Sequence, residues 1–186
     1  MSKPVFRTAD VSASPALLRD APYLLKLFNA PENGSAGGQP DITYDDVMDA
    51  ISEQRKAGLQ SAHDSWIVVL RKRRTRQRIG FGTVTRSEFG DSLADVGLIL
   101  HPAYQRRGYG PQVLRGLASF AFNCAAFRDT QIVTANINPA RHEAVRLMAK
   151  AGFQAGALHK GHYCNGGVME DTQVYYLSRE SMPGPY

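Results

Sequence analysis

The period of the apolar positions changes twice along the chain, and those changes set the expected architecture. Ser2–Ser14 is polar and extended in character, with a first strand expected around Val5–Val11. Pro15–Asn29 carries Leu17, Leu18, Leu24, Leu25, Leu27 and Phe28 in a helical pattern, and Pro22 breaks or restarts that helix near its middle. Pro31–Pro40 holds Gly34, Gly37 and Gly38 with no apolar anchor, which predicts a mobile loop. Thr43, followed by Asp45 and Asp46, predicts the cap of a second helix running to about Ala57 and stopping at Gly58.

From Ser65 the period shortens. Ser65–Leu70 is rich in β-formers and too short for a buried helix. Arg71–Arg78 is expected as the basic turn of a hairpin, and Ile79–Arg86 as its return strand. Gly80 and Gly82 there mark a bulge or a close approach of backbones. Leu93–Leu100 makes a third strand, ended by His101-Pro102, so the middle of the chain is an antiparallel meander. The pattern then turns α/β. Pro111–Phe127 is a helix with Leu114, Leu117, Ala121 and Cys124 on its apolar stripe, and Gln131–Ile137 is a strand. Ala140–Ala151 is a helix terminated by Gly152, and Phe153–His162 and Thr172–Leu177 close the sheet through the hairpin signal Asn165-Gly166-Gly167. The order βααβββαβαββ predicts a mixed α/β fold: a twisted, mostly antiparallel sheet of about six or seven strands with about four helices on its two faces.

Composition narrows the class. A chain of 186 residues, 43% hydrophobic and 21% charged, is expected to form a single domain over residues 1–186 around an ordinary core. Cys124 and Cys164 make no disulfide framework, the apolar strip Tyr23–Phe28 is far too short to span a bilayer, and no apolar h-region opens the chain. The expectation is a cytoplasmic protein with no membrane partner, monomer and homodimer both open. The net charge of +5 is concentrated at two foci, Arg71–Arg78 and Arg106-Arg107. The first is a solvated hairpin tip or a contact for ribosomal RNA, transfer RNA or an acidic peptide, though it lacks the interleaved aromatics of a single-strand platform.

The second focus lies in Leu98-Ile-Leu-His-Pro-Ala-Tyr-Gln-Arg-Arg-Gly-Tyr-Gly-Pro111, where a strand ends, a short loop carries two arginines and two glycines, and a helix begins. Unpaired N–H groups and a partial positive charge make a helix N-terminus an anion site. Gly108 and Gly110 let the backbone curl round a phosphate, Pro111 sits where its missing N–H costs least, and Arg106 and Arg107 add charge-assisted contacts. A tight turn that merely needs glycine is the alternative. The segment has neither the Gly-Lys-Ser/Thr of a P-loop nor the third glycine of a dinucleotide fingerprint.

The run Gln105-Arg106-Arg107-Gly108-Tyr109-Gly110 resembles the Gln/Arg-x-x-Gly-x-Gly/Ala signature of the GNAT superfamily of N-acetyltransferases. Ala144-Val-Arg-Leu-Met-Ala-Lys-Ala-Gly-Phe153 is similar to that family's second motif. Asp20–Pro31 and the tail from His159 through Asp171 to Tyr176 resemble its ribosomal-protein N-terminal acetyltransferase branch. The resemblance implies a sheet splayed in the middle and acetyl-CoA as co-substrate. Backbone groups of Leu98, Ile99 and Leu100 would hold the pantetheine arm, and Gln105 with the amides of Arg106, Arg107, Gly108, Tyr109 and Gly110 the pyrophosphate. It also implies a primary amine as acceptor, a peptide N-terminus or a small amine such as a polyamine, amino acid or antibiotic.

In the second motif the family's usual Asn falls at Arg141 and its usual Ser at Ala144. Arg141 is then a candidate for a CoA phosphate, and Asn138 for reaching the cofactor from the strand end. Asp95 stands where this branch often carries Glu and is the candidate general base, with Glu88 a weaker one. Tyr163 is the candidate proton donor to the thiolate, with a core tyrosine as the alternative. No metal is expected: on a plain strand His162 and Cys164 share a face while His159 points the other way. Two rivals remain beside the acetyltransferase, an RNA- or ribosome-binding protein and a CoA-binding module that does not catalyse.

Overall fold

The computed structural model of the protein describes residues 3–30, 42–58, 65–165 and 167–182, and the loop expected at Pro31–Pro40 lies outside them. The N-terminal segment makes two strands where one was expected. A turn at Thr8–Asp10 folds β1 (Phe6–Arg7) back on β2 (Val11–Pro15), held by Thr8 N–H to Val11 O at 2.8 Å and by the Thr8 hydroxyl, which accepts from Val11 N–H at 3.1 Å. The expected helix at Pro15–Asn29 shortens to a single 3₁₀ turn at Leu18–Asp20 followed by α1 (Ala21–Phe28). Pro22 lies in the first turn of α1, where no N–H is required of it.

α2 (Tyr44–Ala57) starts and stops where its signals lie. Thr43 accepts from Asp46 N–H and the Asp46 carboxylate accepts in return from Thr43 N–H, a capping box; these bonds hold the Asp46 carboxyl below its usual range. Gly58 at φ 67° ends the helix. The meander follows as β3 (Ser65–Lys72), β4 (Arg78–Arg86) and β5 (Leu93–Leu100). Beyond them come α3 (Tyr109–Asn123), β6 (Ile132–Ile137), α4 (His142–Ala151), β7 (Gln154–Asn165) and β8 (Val168–Ser178). The helix expected to reach Phe127 ends at Asn123; a separate 3₁₀ turn covers Ala125–Phe127.

The strands form one eight-stranded sheet in the order β1-β2-β3-β4-β5-β6-β8-β7, one more than the upper expectation because of the split at Thr8–Asp10. Every neighbouring pair is antiparallel except β5 with β6. α3 covers one face, where Val68, Leu70, Val84, Ala94, Val96, Leu114, Leu117 and Val133 make the larger core. α1 and α2 cover the other with Leu24, Leu27, Val47, Ile51, Ile67, Val69 and Phe81. The buried Gln54 side chain of α2 acts as a substitute strand: its amide donates to Ile67 O at 3.1 Å and accepts from Ile67 N–H at 2.7 Å, just where β2 has run out.

A bulge in β4 redistributes the basic hairpin. Leu70 pairs with Gly80 and Arg71 with Arg78, so Ile79 is the extra residue and turns into the α3-side core. Arg71 and Arg78 therefore share the opposite face, where both reach the buried Asp20 carboxylate, at 3.0 and 3.3 Å. Arg73 donates to Thr8 O and Ala9 O. Residues 73–78 stay exposed, as expected of a solvated tip, while Arg71 at its base is drawn in against Asp20. Gly80 serves a close approach, since a Cβ there would collide with the Ile99 carbonyl, and one on Gly82 would meet Leu117 of α3 at 2.8 Å.

Candidate active site

The parallel pairing of β5 with β6 lasts for three rungs: Leu93 with Ile132, Ala94 with Val133, Asp95 with Thr134. Beyond Asp95 the two strands separate, while β5 stays paired with β4 through Leu100 and β6 with β8 through Ile137. The result is a wedge in the middle of the sheet, open toward the C-terminal ends of both strands. Gly97–Leu100 are only half-buried although β5 is central. Strand alternation fixes which main-chain groups face the wedge. Ala94 O accepts from the Thr134 hydroxyl of β6 at 3.4 Å, whereas His101 N–H donates to Ile79 O, just ahead of Gly80 in β4, at 2.9 Å. Even-numbered residues of β5 thus turn their main chain toward the wedge and odd-numbered ones toward β4. Of the backbone set expected to hold a pantetheine arm, Leu98 and Leu100 qualify. Ile99 does not: its main chain belongs to the β4 ladder and its side chain packs against the α1–α2 core.

The loop at the mouth of the wedge curls as its glycine and arginine pattern suggests. A 3₁₀ turn at Pro102–Tyr104 is followed by Arg106 at φ 58° and Gly108 at φ 79°, and α3 begins at Tyr109. Two left-handed residues so close together turn successive N–H groups inward, the geometry of an anion-binding nest. Among the described residues, the amides of Arg106–Gly110 find no backbone acceptor in any turn or cap. A Cβ on Gly108 would meet nothing within 4 Å, so open space lies beside the curl and the glycine is there for its φ.

Gly110 has a different role. A Cβ there would lie 2.7 Å from Leu147 of α4, so this glycine lets α3 and α4 pack closely. Gly110→Val is expected to destabilise the protein by about 1–3 kcal/mol through overpacking, seen as a lowered melting temperature in the absence of any ligand.

Side chains frame the mouth. Gln105 donates to Leu100 O at 3.0 Å and pins the loop to the strand end. The exposed Arg106 guanidinium pairs with Glu143 at 2.7 Å, tying the loop to the first turn of α4. Arg107 lies over the Tyr104 ring at 5.8 Å. Because β5 and β6 are parallel, the N-termini of α3 and α4 open at the same end of the wedge, and the exposed Arg141 is the N-cap of α4. Asn138 is committed elsewhere: it donates to Glu170 of β8 at 2.6 Å and accepts from Ala140 N–H at 2.8 Å, bracing the turn into α4.

Asp95 is the last paired residue before the wedge opens, and its carboxylate accepts from the Thr134 hydroxyl across the two strands. By alternation it lies on the face covered by α1 and α2, since its neighbours Ala94 and Val96 belong to the α3-side core. Thr134 was missed in the sequence, although a hydroxyl inside the run Ile132-Val-Thr-Ala is a visible break in an apolar pattern. Tyr163 is not brought to this point. It is 39% exposed on β7, so it is no core tyrosine, and β6 and β8 lie between β7 and β5. Glu88 lies in the turn before β5, at the other end of that strand.

His159 and His162 were expected on opposite faces, but their rings stack at 5.3 Å between centroids. The register slips between His159 and Tyr163, with Gly161 at φ 54°. Among the described residues no group of three His, Cys, Asp or Glu side chains is placed to hold a metal ion. Cys124 is buried, and burial pushes its thiol up, the opposite of what a nucleophile needs.

An open seam ending at a carboxylate, with a nest of free amides at its mouth, fits a long ligand with an anionic head. Solved structures share the fold. A spermidine N-acetyltransferase from Vibrio cholerae, solved with CoA and spermine, superposes with a TM-score of 0.78 at 13% identity over 94% of this chain and 99% of that one. A ribosomal-protein-S5-alanine acetyltransferase from Vibrio fischeri gives 0.74 at 15% identity over 96% and 98%. A GNAT-family acetyltransferase from Bacillus anthracis gives 0.74 at 13% over 94% and 98%. At these identities the likeness is one of fold. No curated protein matches the sequence significantly. The description "Acetyltransferase (GNAT) domain" matches residues 14–154, from the end of β2 into the start of β7 and across the whole wedge. The chain belongs to the GNAT acetyltransferase family.

Proposed function

We propose that this acetyltransferase moves the acetyl group of acetyl-CoA onto the α-amine of a protein or peptide N-terminus. The observation that carries the reading is the wedge itself, with the main chain of Leu98 and Leu100 turned toward it along one side, a nest of amides at its mouth and the Asp95–Thr134 pair at its apex. The pyrophosphate is held by the amides of Arg106–Gly110 and by the two arginines. The pantetheine arm runs inward along Leu98 and Leu100 as a substitute strand, and Arg141 meets a phosphate from the α4 side. The arm delivers the thioester near Asp95. An N–H of the same alternating set faces the thioester oxygen and stabilises the oxyanion as the amine nitrogen attacks, an interaction typically worth ~2.7–4 kcal/mol. The surplus amine proton passes to Asp95 directly or through water, the C–S bond breaks, and the departing CoA thiolate takes that proton up in turn, so that CoA is released as the thiol.

Charge favours a peptide over a polyamine. A polyamine carries several positive charges, and it would have to approach a chain whose own net charge is +5. An α-amine with pKa of about 7.7–8.0 is already ~10–20% neutral at pH 7, so one carboxylate suffices for it. The two cysteines are free, in keeping with a reducing cytoplasm. A thiol-release assay with acetyl-CoA against N-terminal peptides and against spermidine tests the choice. Peptide turnover with spermidine inactive is the expected result; the reverse pattern would overturn the peptide acceptor while keeping the acetyl transfer.

A further inference from the structure

A second concave site lies across the sheet from α3, at the end where the β3–β4 hairpin folds back. Its cavity, about 510 Å³, is lined by Arg7, Arg19, Arg71, Arg76 and Arg78 round the single carboxylate of Asp20. Among the described lining residues, and with Arg76 left out, four guanidiniums against one carboxylate leave an excess of three positive charges in a space of small-ligand size. Side-chain alternation puts it on the α1–α2 face: Ser12, Ser14 and Arg71 line it, while Val11, Ala13 and Leu70 between them point into the α3-side core.

We infer that this cavity is a binding site for a small, multiply charged oxyanion, a ligand carrying several phosphate or carboxylate groups, distinct from the acetyl-CoA seam. Asp20 pre-orders the site. Its carboxylate, 3% exposed, holds Arg71 and Arg78 side by side and also accepts from Leu17 N–H at 3.2 Å. Two forks fixed in this way present their remaining N–H groups without the loss of side-chain freedom that flexible arginines suffer on binding. Arg7 and Arg19, exposed at the rim on β1 and on the 3₁₀ turn, supply charge that Asp20 does not offset. Ser12 and Ser14 add hydroxyl donors at the wall.

The lining favours a small ligand over nucleic acid. Arg71 is 18% exposed and turned inward, and the described lining residues include no aromatic ring on which a base could stack. Arg78 lies over the Tyr23 ring at 4.9 Å, and the Tyr23 hydroxyl is buried without a hydrogen-bond partner among the described residues. Burial pushes that hydroxyl up to about 12 against the pull of Arg78, while Tyr104, under Arg107 in the active-site loop, pushes it further the same way.

Calorimetry on the full chain, saturated with CoA so that the nest is filled, tests the assignment with tripolyphosphate in one arm and citrate in the other. One-to-one binding in either arm is expected, weakened about tenfold or more by R7Q/R19Q, each lost fork removing a charge-assisted bond. R107Q should leave that binding unchanged. The tighter arm identifies phosphate or carboxylate as the natural head group. R7Q/R19Q alters two exposed residues, and an unchanged melting temperature confirms that it folds. The inference fails if neither anion saturates, or if R7Q/R19Q binds as well as the parent. It fails equally if a single-stranded RNA oligomer binds and neither anion displaces it.

Discussion

Gly108→Val is expected to lower kcat/KM for acetyl-CoA by about a hundredfold, the equivalent of one or two charge-assisted hydrogen bonds to phosphate. The φ of 79° at this position lies in the left-handed region, where a β-branched residue is an outlier. To keep its backbone there valine must bear strain; to relieve it, the curl from Arg106 to Tyr109 must open and the inward amides rotate away. Stability should change far less than affinity, because a Cβ at Gly108 meets no neighbour within 4 Å. Strain of about 1–2 kcal/mol corresponds to a fall in melting temperature of a few degrees in a chain of this size. The measurement is a titration of steady-state rate with acetyl-CoA beside a melting curve. A variant that keeps its acetyl-CoA KM would place the pyrophosphate somewhere other than the nest.

Asp95→Asn is the second large effect. At pH 7 kcat is expected to fall about a hundredfold with the KM for acetyl-CoA unchanged, since the carboxamide keeps a bond to Thr134 but takes no proton. The pH dependence identifies the acceptor. With an α-amine, ~10–20% neutral at pH 7, about five- to tenfold of the loss is simply a shortage of neutral amine, and it returns as pH rises past 8. With a lysine-type amine, below ~0.1% neutral at pH 7, the deficit would persist to about pH 10. A rate–pH profile of parent and variant on one peptide separates the two. A D95N protein with parental kcat at every pH would remove Asp95 from the chemistry.

How much of this was legible in the sequence depends on the range of the interaction concerned. Elements fixed by their own residues lay where the pattern put them: Thr43 caps α2, Gly58 and Gly152 end α2 and α4, and β5 spans Leu93–Leu100. The nest was legible for the same reason, as its shape follows from consecutive residues of one loop. Features made by distant partners were not. The wedge, expected through the family resemblance and not from the strand pattern, exists because β6 stops pairing with β5 after Thr134, a decision shared between strands 39 positions apart. Arg71 reads as a tip residue until Asp20, 51 positions earlier, is seen to hold it from the other side of a bulge. Ile99 sits inside the expected backbone set, yet alternation turns it away, and His159 meets His162 because the strand slips at Gly161.

The three-rung pairing of β5 with β6 has a mechanical consequence. With only three strand rungs between them, β1–β5 and β6–β8 form two leaves of a clasp, joined at Leu93–Asp95 and through the shared α3-side core, and spanned at the free end by α3–α4 packing at Gly110 and the exposed Arg106–Glu143 contact. On the proposed reading, a donor lying in the gap bonds to the leaves as a missing strand would. Its arrival therefore splints the clasp, and protection from solvent exchange should spread outward from β5 into strands that never touch it.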